Sequence, residues 1–230
     1  TKGTDGTDVG STLTTQGDIL YRDGSGLQRL AAGTNGQALL TGGAGANVSW
    51  GSVSSDYVKL ASGTFSSSSD NLIIDGFTNS AYKTYVLRCG CTSTGNSGST
   101  IKMRLRSGST DLTAEYLRMG DYRMVNTSNS TGGSFAGNGS YNQDHWLIGH
   151  HGSTSADVST FEITFNDLTD TTHYKTMMSR CIARDGSSQW VLWTLAGMYR
   201  PNTNAVTGMK IYTSSGNNFT NGNYQIYGIK

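Results

Sequence analysis

Carboxylates are the first residues to weigh for chemistry, and in this chain of 230 residues they are few. Glutamate occurs only as Glu115 and Glu162. The aspartates fall mostly in Gly- or Ser/Thr-rich turns, where an Asx turn or a cap is their ordinary use. Glycoside hydrolysis would need two carboxylates held roughly 5–10 Å apart across the scissile bond. Asp144, beside His145 and Trp146, is the best enzymatic candidate. The other histidines are His150, His151 and His173. In a strand His150 and His151 point to opposite faces, and His145 lies about 20 Å from His151, too far to share one ion. Cys89 and Cys91 share a strand face and could make a metal site only together with Cys181. Cys-x-Cys alone is a weak signal, and three cysteines make no disulfide framework, so they read as buried thiols of a protein assembled in a reducing cytosol. No His-Glu-x-x-His, Gly-x-x-x-x-Gly-Lys or Gly-x-Ser-x-Gly pattern is present. The expectation is therefore no catalytic residue, no metal, no cofactor and no enzymatic activity.

What the residues offer instead is a binding surface. Sugars are held by aromatic faces and by amides and short hydroxyls that match their OH groups, and the same side chains suit any adaptable contact surface. The long polar stretch 126–144 has that composition and runs into Tyr141, Asn142, Gln143, Asp144, His145 and Trp146, the candidate receptor-binding residues. The plainer alternative is a solvated loop followed by a core tryptophan. Asn-x-Ser/Thr matches at Asn47, Asn126, Asn129, Asn138 and Asn218 carry no weight in so hydroxyl-rich a chain.

Composition says what must position these groups. Glycine numbers 31, proline one, and serine with threonine about a quarter of the chain, which excludes collagen, with its glycine at every third place. Charged residues are 14% and the net charge is +1, so neither nucleic acid nor an anionic membrane surface is indicated as a partner. With 35% apolar residues the chain can fill a core. No apolar run approaches the roughly 18 residues of a membrane span. Opening on Thr1, the chain reads as a fragment or a processed product.

The texture changes near residue 52. Residues 1–51 are Gly/Thr/Asp-rich, with apolar islands at Ile19, Leu20, Tyr21, Leu27, Leu30, Leu39 and Trp50. Ordering each residue costs about 1–2 kcal/mol of backbone entropy, more than such scattered islands can offset. If this segment is ordered, other copies must cover those seven residues, the candidate trimerisation set; a disordered leader is the alternative.

Residues 52–230 alternate. Ile101, Met103 and Leu105 alternate with Lys102, Arg104 and Arg106; Phe161, Ile163 and Phe165 alternate with Glu162, Thr164 and Asn166. Period two marks half-buried strands. Trp190–Trp193 and Tyr224–Tyr227 are apolar on both faces, as in central strands or strands covered by a neighbouring copy. Asp111–Val125 fits a short helix by the spacing of Leu112, Tyr116, Met119 and Arg123, or a strand pair. About ten strand candidates with turn clusters between them predict an all-β fold, a jelly-roll-like β-sandwich head at 52–230 behind the trimerising segment 1–51.

One run resembles a known family. Gly17-Asp18-Ile19-Leu20, Arg29-Leu30, Gly33, Gly36-Gln37, Leu39 and Trp50 are similar to a module of tailed-bacteriophage fibre and virion proteins. The closing run Val206–Tyr212, Ser214–Asn217 and Tyr224–Ile229 is similar, more loosely, to the ends of marine-phage fibre proteins. The resemblance implies a homotrimeric virion fibre subunit, assembled in the bacterial cytoplasm, attached to tail or capsid proteins and contacting a host glycan or outer-membrane protein. It implies no catalytic residue. A structural or decoration protein and a polysaccharide depolymerase are the alternatives.

Overall fold

The computed structural model describes residues 9–53, 55–93, 100–125, 130–135, 142–150, 157–184, 189–201, 204–214 and 218–230. The chain divides into two units, Thr1–Ser55 and Asp56–Lys230, a few residues beyond the change in texture.

The first unit holds a four-residue helix, Val9–Thr12, and two antiparallel hairpins. One pairs β1 (Ile19–Arg22) with β2 (Leu27–Leu30); the other pairs β3 (Ala38–Leu40) with β4 (Ser49–Gly51). No apolar residue described in this unit is buried. Ile19, Leu20, Tyr21, Leu30 and Trp50 are half-buried, and Leu27 and Leu39 are exposed. Local polar contacts hold the hairpins instead. The Asp18 carboxylate accepts the amides of Thr14 (3.0 Å) and Thr15 (2.8 Å) and meets Arg29 Nε at 2.7 Å. Burial works against the Asp18 charge, but Arg29 and the two amides outweigh it and hold the carboxyl below its usual range. Trp50 Nε1 donates to Ala31 O (2.7 Å) while its ring lies against Gly33, where a Cβ would come within 2.7 Å of the indole.

The second unit is nearly all β and contains β5 (Tyr57–Ser69), β6 (Asn71–Asp75), β7 (Thr84–Ser93), β8 (Thr100–Ser107), β9 (Thr110–Asp111), β10 (Tyr116–Val125), β11 (Ser130–Phe135), β12 (Trp146–His150), β13 (Ser159–Asn166), β14 (Lys175–Arg184), β15 (Trp190–Tyr199), β16 (Gly208–Thr213) and β17 (Phe219–Ile229). They form an eight-stranded antiparallel sheet in the order β11-β10-β15-β14-β13-β7-β17-β5 and a smaller one in the order β12-β8-β16-β6, with β9 beside β8. The two are packed as a sandwich.

The predicted alternation is what builds the core. Tyr85, Leu87 and Cys89, Phe161, Ile163 and Phe165, and Val191, Trp193 and Leu195 fill it from the large sheet; Ile101, Met103, Leu105, Met209 and Ile211 fill it from the small one.

Two expectations are corrected here. Asp111–Val125 is not a helix: Tyr116 is buried and Tyr122 and Met124 pack on the core, while Met119, Asp121 and Arg123 between them are exposed, a strand period. Nor is 126–144 one long loop, since Ser130–Phe135 forms the edge strand β11 on β10.

Candidate binding site

The predicted site residues converge on the edge of the small sheet. Asn142 turns the chain with φ 64°, and Gln143 exchanges two backbone hydrogen bonds with Tyr116, each 3.1 Å. This places Asp144 and His145 against the outer face of β8. Arg104 Nε donates to Asp144 O at 2.9 Å, and the Asp144 carboxylate takes a second Arg104 nitrogen and His145 Nδ1. Arg118 Nη1 lies 3.5 Å from His145 Nε2. Arg104 and Lys210 lie 5.0 and 5.8 Å from the centre of the Tyr212 ring.

The electrostatics follow from burial. Desolvation holds His145 below its ordinary value of 6.5, with Lys102 and Arg118 acting the same way against Asp144. Burial pulls Asp144 upward, but His145 and Arg104 outweigh it and keep its carboxyl below 3.8. Burial pushes the Tyr212 phenol up to about 12. A neutral His145 donates from Nδ1 to Asp144 and turns its Nε2 lone pair to Arg118, so this Asp–His pair faces a cation rather than a hydroxyl or thiol it could activate.

Three side chains of the corner are thus engaged by polar neighbours. Asn142 Oδ1 accepts from Arg200 (2.8 Å), and Asp144 and His145 are paired as above. Trp146 is corrected as a contact residue: it has no exposed surface, donates from Nε1 to Leu117 O (3.1 Å) and Met198 O (3.3 Å), and packs edge-on against Tyr116. Tyr141 lies outside the described residues.

A second arrangement, absent from the sequence expectation, lies on the outer face of the large sheet. Along β17 the outward residues are Asn221, Asn223, Gln225 and Tyr227. Gly90 on β7 is paired with Asn223, and a Cβ there would meet nothing within 4 Å. Gly90 therefore floors a dish of about 270 Å³, rimmed by Thr64, Thr92, Val158, Asn221 and Asn223. The carboxamides of Asn221 and Asn223 make no side-chain hydrogen bond with another described residue, and Val158 is 51% exposed. Four residues along β17 from Asn223, about 13 Å at strand rise, Tyr227 packs edge-on against the exposed Tyr57 at 6.2 Å. Tyr227 also donates to Gln225 Oε1 (2.6 Å). Asparagine amides without a side-chain partner among the described residues, with threonine hydroxyls from β5 and β7 beside them and an aromatic pair shared by β17 and β5, match a hydroxylated ligand laid along β17. The signal in the sequence was the run Asn-x-Asn-x-Gln-x-Tyr at 221–227, polar at period two.

Cys89, Cys91 and Cys181 are buried on the inner face of the large sheet. Contact with Cys91 and burial push the Cys89 thiol well up, and burial takes Cys181 up to about 12. Among the described residues no group of three His, Cys, Asp or Glu side chains is placed to hold a metal ion. Comparison with protein-family models, with curated proteins and with solved structures finds no match to this chain.

Proposed function

We propose that this chain is a phage virion fibre subunit whose head recognises a host-surface glycan along β17. The observation that carries the reading is the dish over Gly90, whose two asparagine amides have no side-chain partner among the described residues, whereas Asn142, Asp144 and His145 are engaged by Arg200, Arg104 and Arg118. A dish of this size is near the small end of ligand sites, suited to one sugar ring, with the Tyr57–Tyr227 pair available to the next units of a chain. In this reading the sandwich is a jelly-roll-like head, and the N-terminal segment gathers three copies and joins other virion proteins. The support for that segment's role is that none of its described apolar residues is buried. The protein then works in the virion, without catalysis.

The test is glycan capture by the full chain on an array of neutral and uronic-acid-containing oligosaccharides. Gly90→Val puts a side chain into the dish, and its Cβ stands in open space. Capture should fall at least tenfold in Gly90→Val and in Asn223→Ala, with urea midpoints unchanged. Absence of capture by the parent chain, or capture indifferent to both changes, would leave a structural or decoration role.

A further inference from the structure

The outer face of the large sheet has a second region, over β10, β15 and β14, that is unlike the surface of a monomer. Met178 is 64% exposed, Met119 59%, Trp190 50%, Ile182 47% and Leu192 46%, all on this one patch. Single exposed apolar side chains are ordinary; five on three adjacent strands mark a surface that something covers.

Register defines what would fit. Across the three strands the outward rows read Ile182–Leu192–Arg123, then Arg180–Thr194–Asp121, then Met178–Ala196–Met119. The middle row carries opposite charges at its two ends. Arg180 and Asp121 are separated by β15, about 10 Å at ordinary strand spacing, and neither pairs with another described residue. From this arrangement we infer that a second copy of this chain packs here, about a two-fold axis running along β15. That operation exchanges the two ends of every row. It brings Arg180 of each copy over Asp121 of the other, Leu192 over Leu192, and Met119 of the second copy over Met178. Beside Met178 lies a hollow of about 220 Å³, bounded by Glu162, Arg180 and Thr194, which can take that methionine. The Arg180–Thr194–Asp121 row complements itself under that rotation, while Arg123 of each copy lies over the aliphatic Ile182 of the other; the two exchanged ion pairs favour another copy over an unrelated apolar partner as the occupant.

The strands β10, β14 and β15 are ten residues each. They present roughly 34 Å by 14 Å of face, below the size of a permanent interface, so the association depends on concentration. The axis lies toward one side of the sheet, since β13, β7, β17 and β5 extend beyond β14. The half carrying the Gly90 dish therefore stays uncovered, and the pair of copies would present two dishes for bivalent capture. The interface itself does not depend on what the dish binds.

Sedimentation velocity on the full chain, from micromolar to hundreds of micromolar, tests the inference. The mass should double with concentration, from one chain to two, or from three to six where N-terminal segments also gather in threes. Asp121→Arg and Arg180→Asp should each weaken the doubling at least tenfold at low salt, and the chain carrying both should recover to within about threefold of the parent. Both sites are exposed, and unchanged urea midpoints would show that the fold is kept. No doubling, or a double variant as weak as the single ones, overturns the inference. Glycan capture at low surface density should be the same in all four proteins, which separates this result from the reading of the dish.

Discussion

The carboxylate of Asp75 reaches over Gly208 to Arg106, meeting Nε at 2.9 Å, so that β6 and β8 are tied together above the strand that separates them. A Cβ at Gly208 would stand 2.0 Å from Asp75 Oδ1 and 2.8 Å from Ile74 O. Gly208→Ala should therefore destabilise the head by about 1–3 kcal/mol, the usual cost of overpacking. Urea denaturation checks this. An unchanged midpoint would mean that the Asp75–Arg106 tie is not formed across the strand.

Acid should weaken the fold first through His145. The folded value of His145 lies below its ordinary 6.5, so between the two values the unfolded chain binds a proton that the folded chain does not. Stability is then lost as pH falls from 6.5 toward the folded value. The drop in urea midpoint between pH 7.5 and 5.5 should shrink in His145→Gln. Asp144 acts lower down, its contribution disappearing as pH falls below 3.8 toward its depressed folded value.

Two aromatic residues should separate stability from binding. Trp146→Ala removes a fully buried ring and leaves Leu117 O and Met198 O without that donor, at a cost of about 3–5 kcal/mol. Tyr227→Ala should change stability by less than about 1 kcal/mol, yet reduce glycan capture. Thermal melts read beside array binding distinguish the two. Loss of capture in Tyr227→Ala through unfolding would remove that residue from the site.

The thiols should be inert in the native protein. All three are buried, and Cys89 and Cys181 are held protonated at neutral pH by their surroundings. A chromogenic disulfide reagent should react with less than about 0.3 thiol equivalents in buffer, with the remainder appearing on unfolding in guanidinium. Fast native labelling at pH 8 would show the sheet opening locally around β7 or β14.

Period two was plain in the sequence wherever a strand has one wet face, as in β8 and β13, and it located most of the sandwich. It was ambiguous at Asp111–Val125, where Leu112, Tyr116, Met119 and Arg123 also fall at helical spacing. The binding site was harder to read for a physical reason. Composition shows which polar groups a segment carries, but not which of them are already paired. Asp144 and His145 look available in the sequence and are engaged with Arg104 and Arg118 on β8 and β10. Asn221 and Asn223 look like loop residues, and their amides have no side-chain partner among the described residues, with space left beside them by Gly90, far away in sequence. The expectation of a Trp146 contact failed on the same ground, since its two acceptors come from β10 and β15.

The place of β17 in the sheet also sets a schedule. Among the described residues it is the last strand to be made, yet it lies between β7 and β5, and β5 has no other neighbour in the sheet there. At about 5–20 residues per second, a ribosome needs roughly 10–35 s between starting the head and delivering its final strand. Through that interval the edges of β5 and β7 are open templates for any nearby chain. A product truncated before Phe219 would keep them open for good, so prematurely ended chains should be found in aggregates rather than in the dispersed fraction.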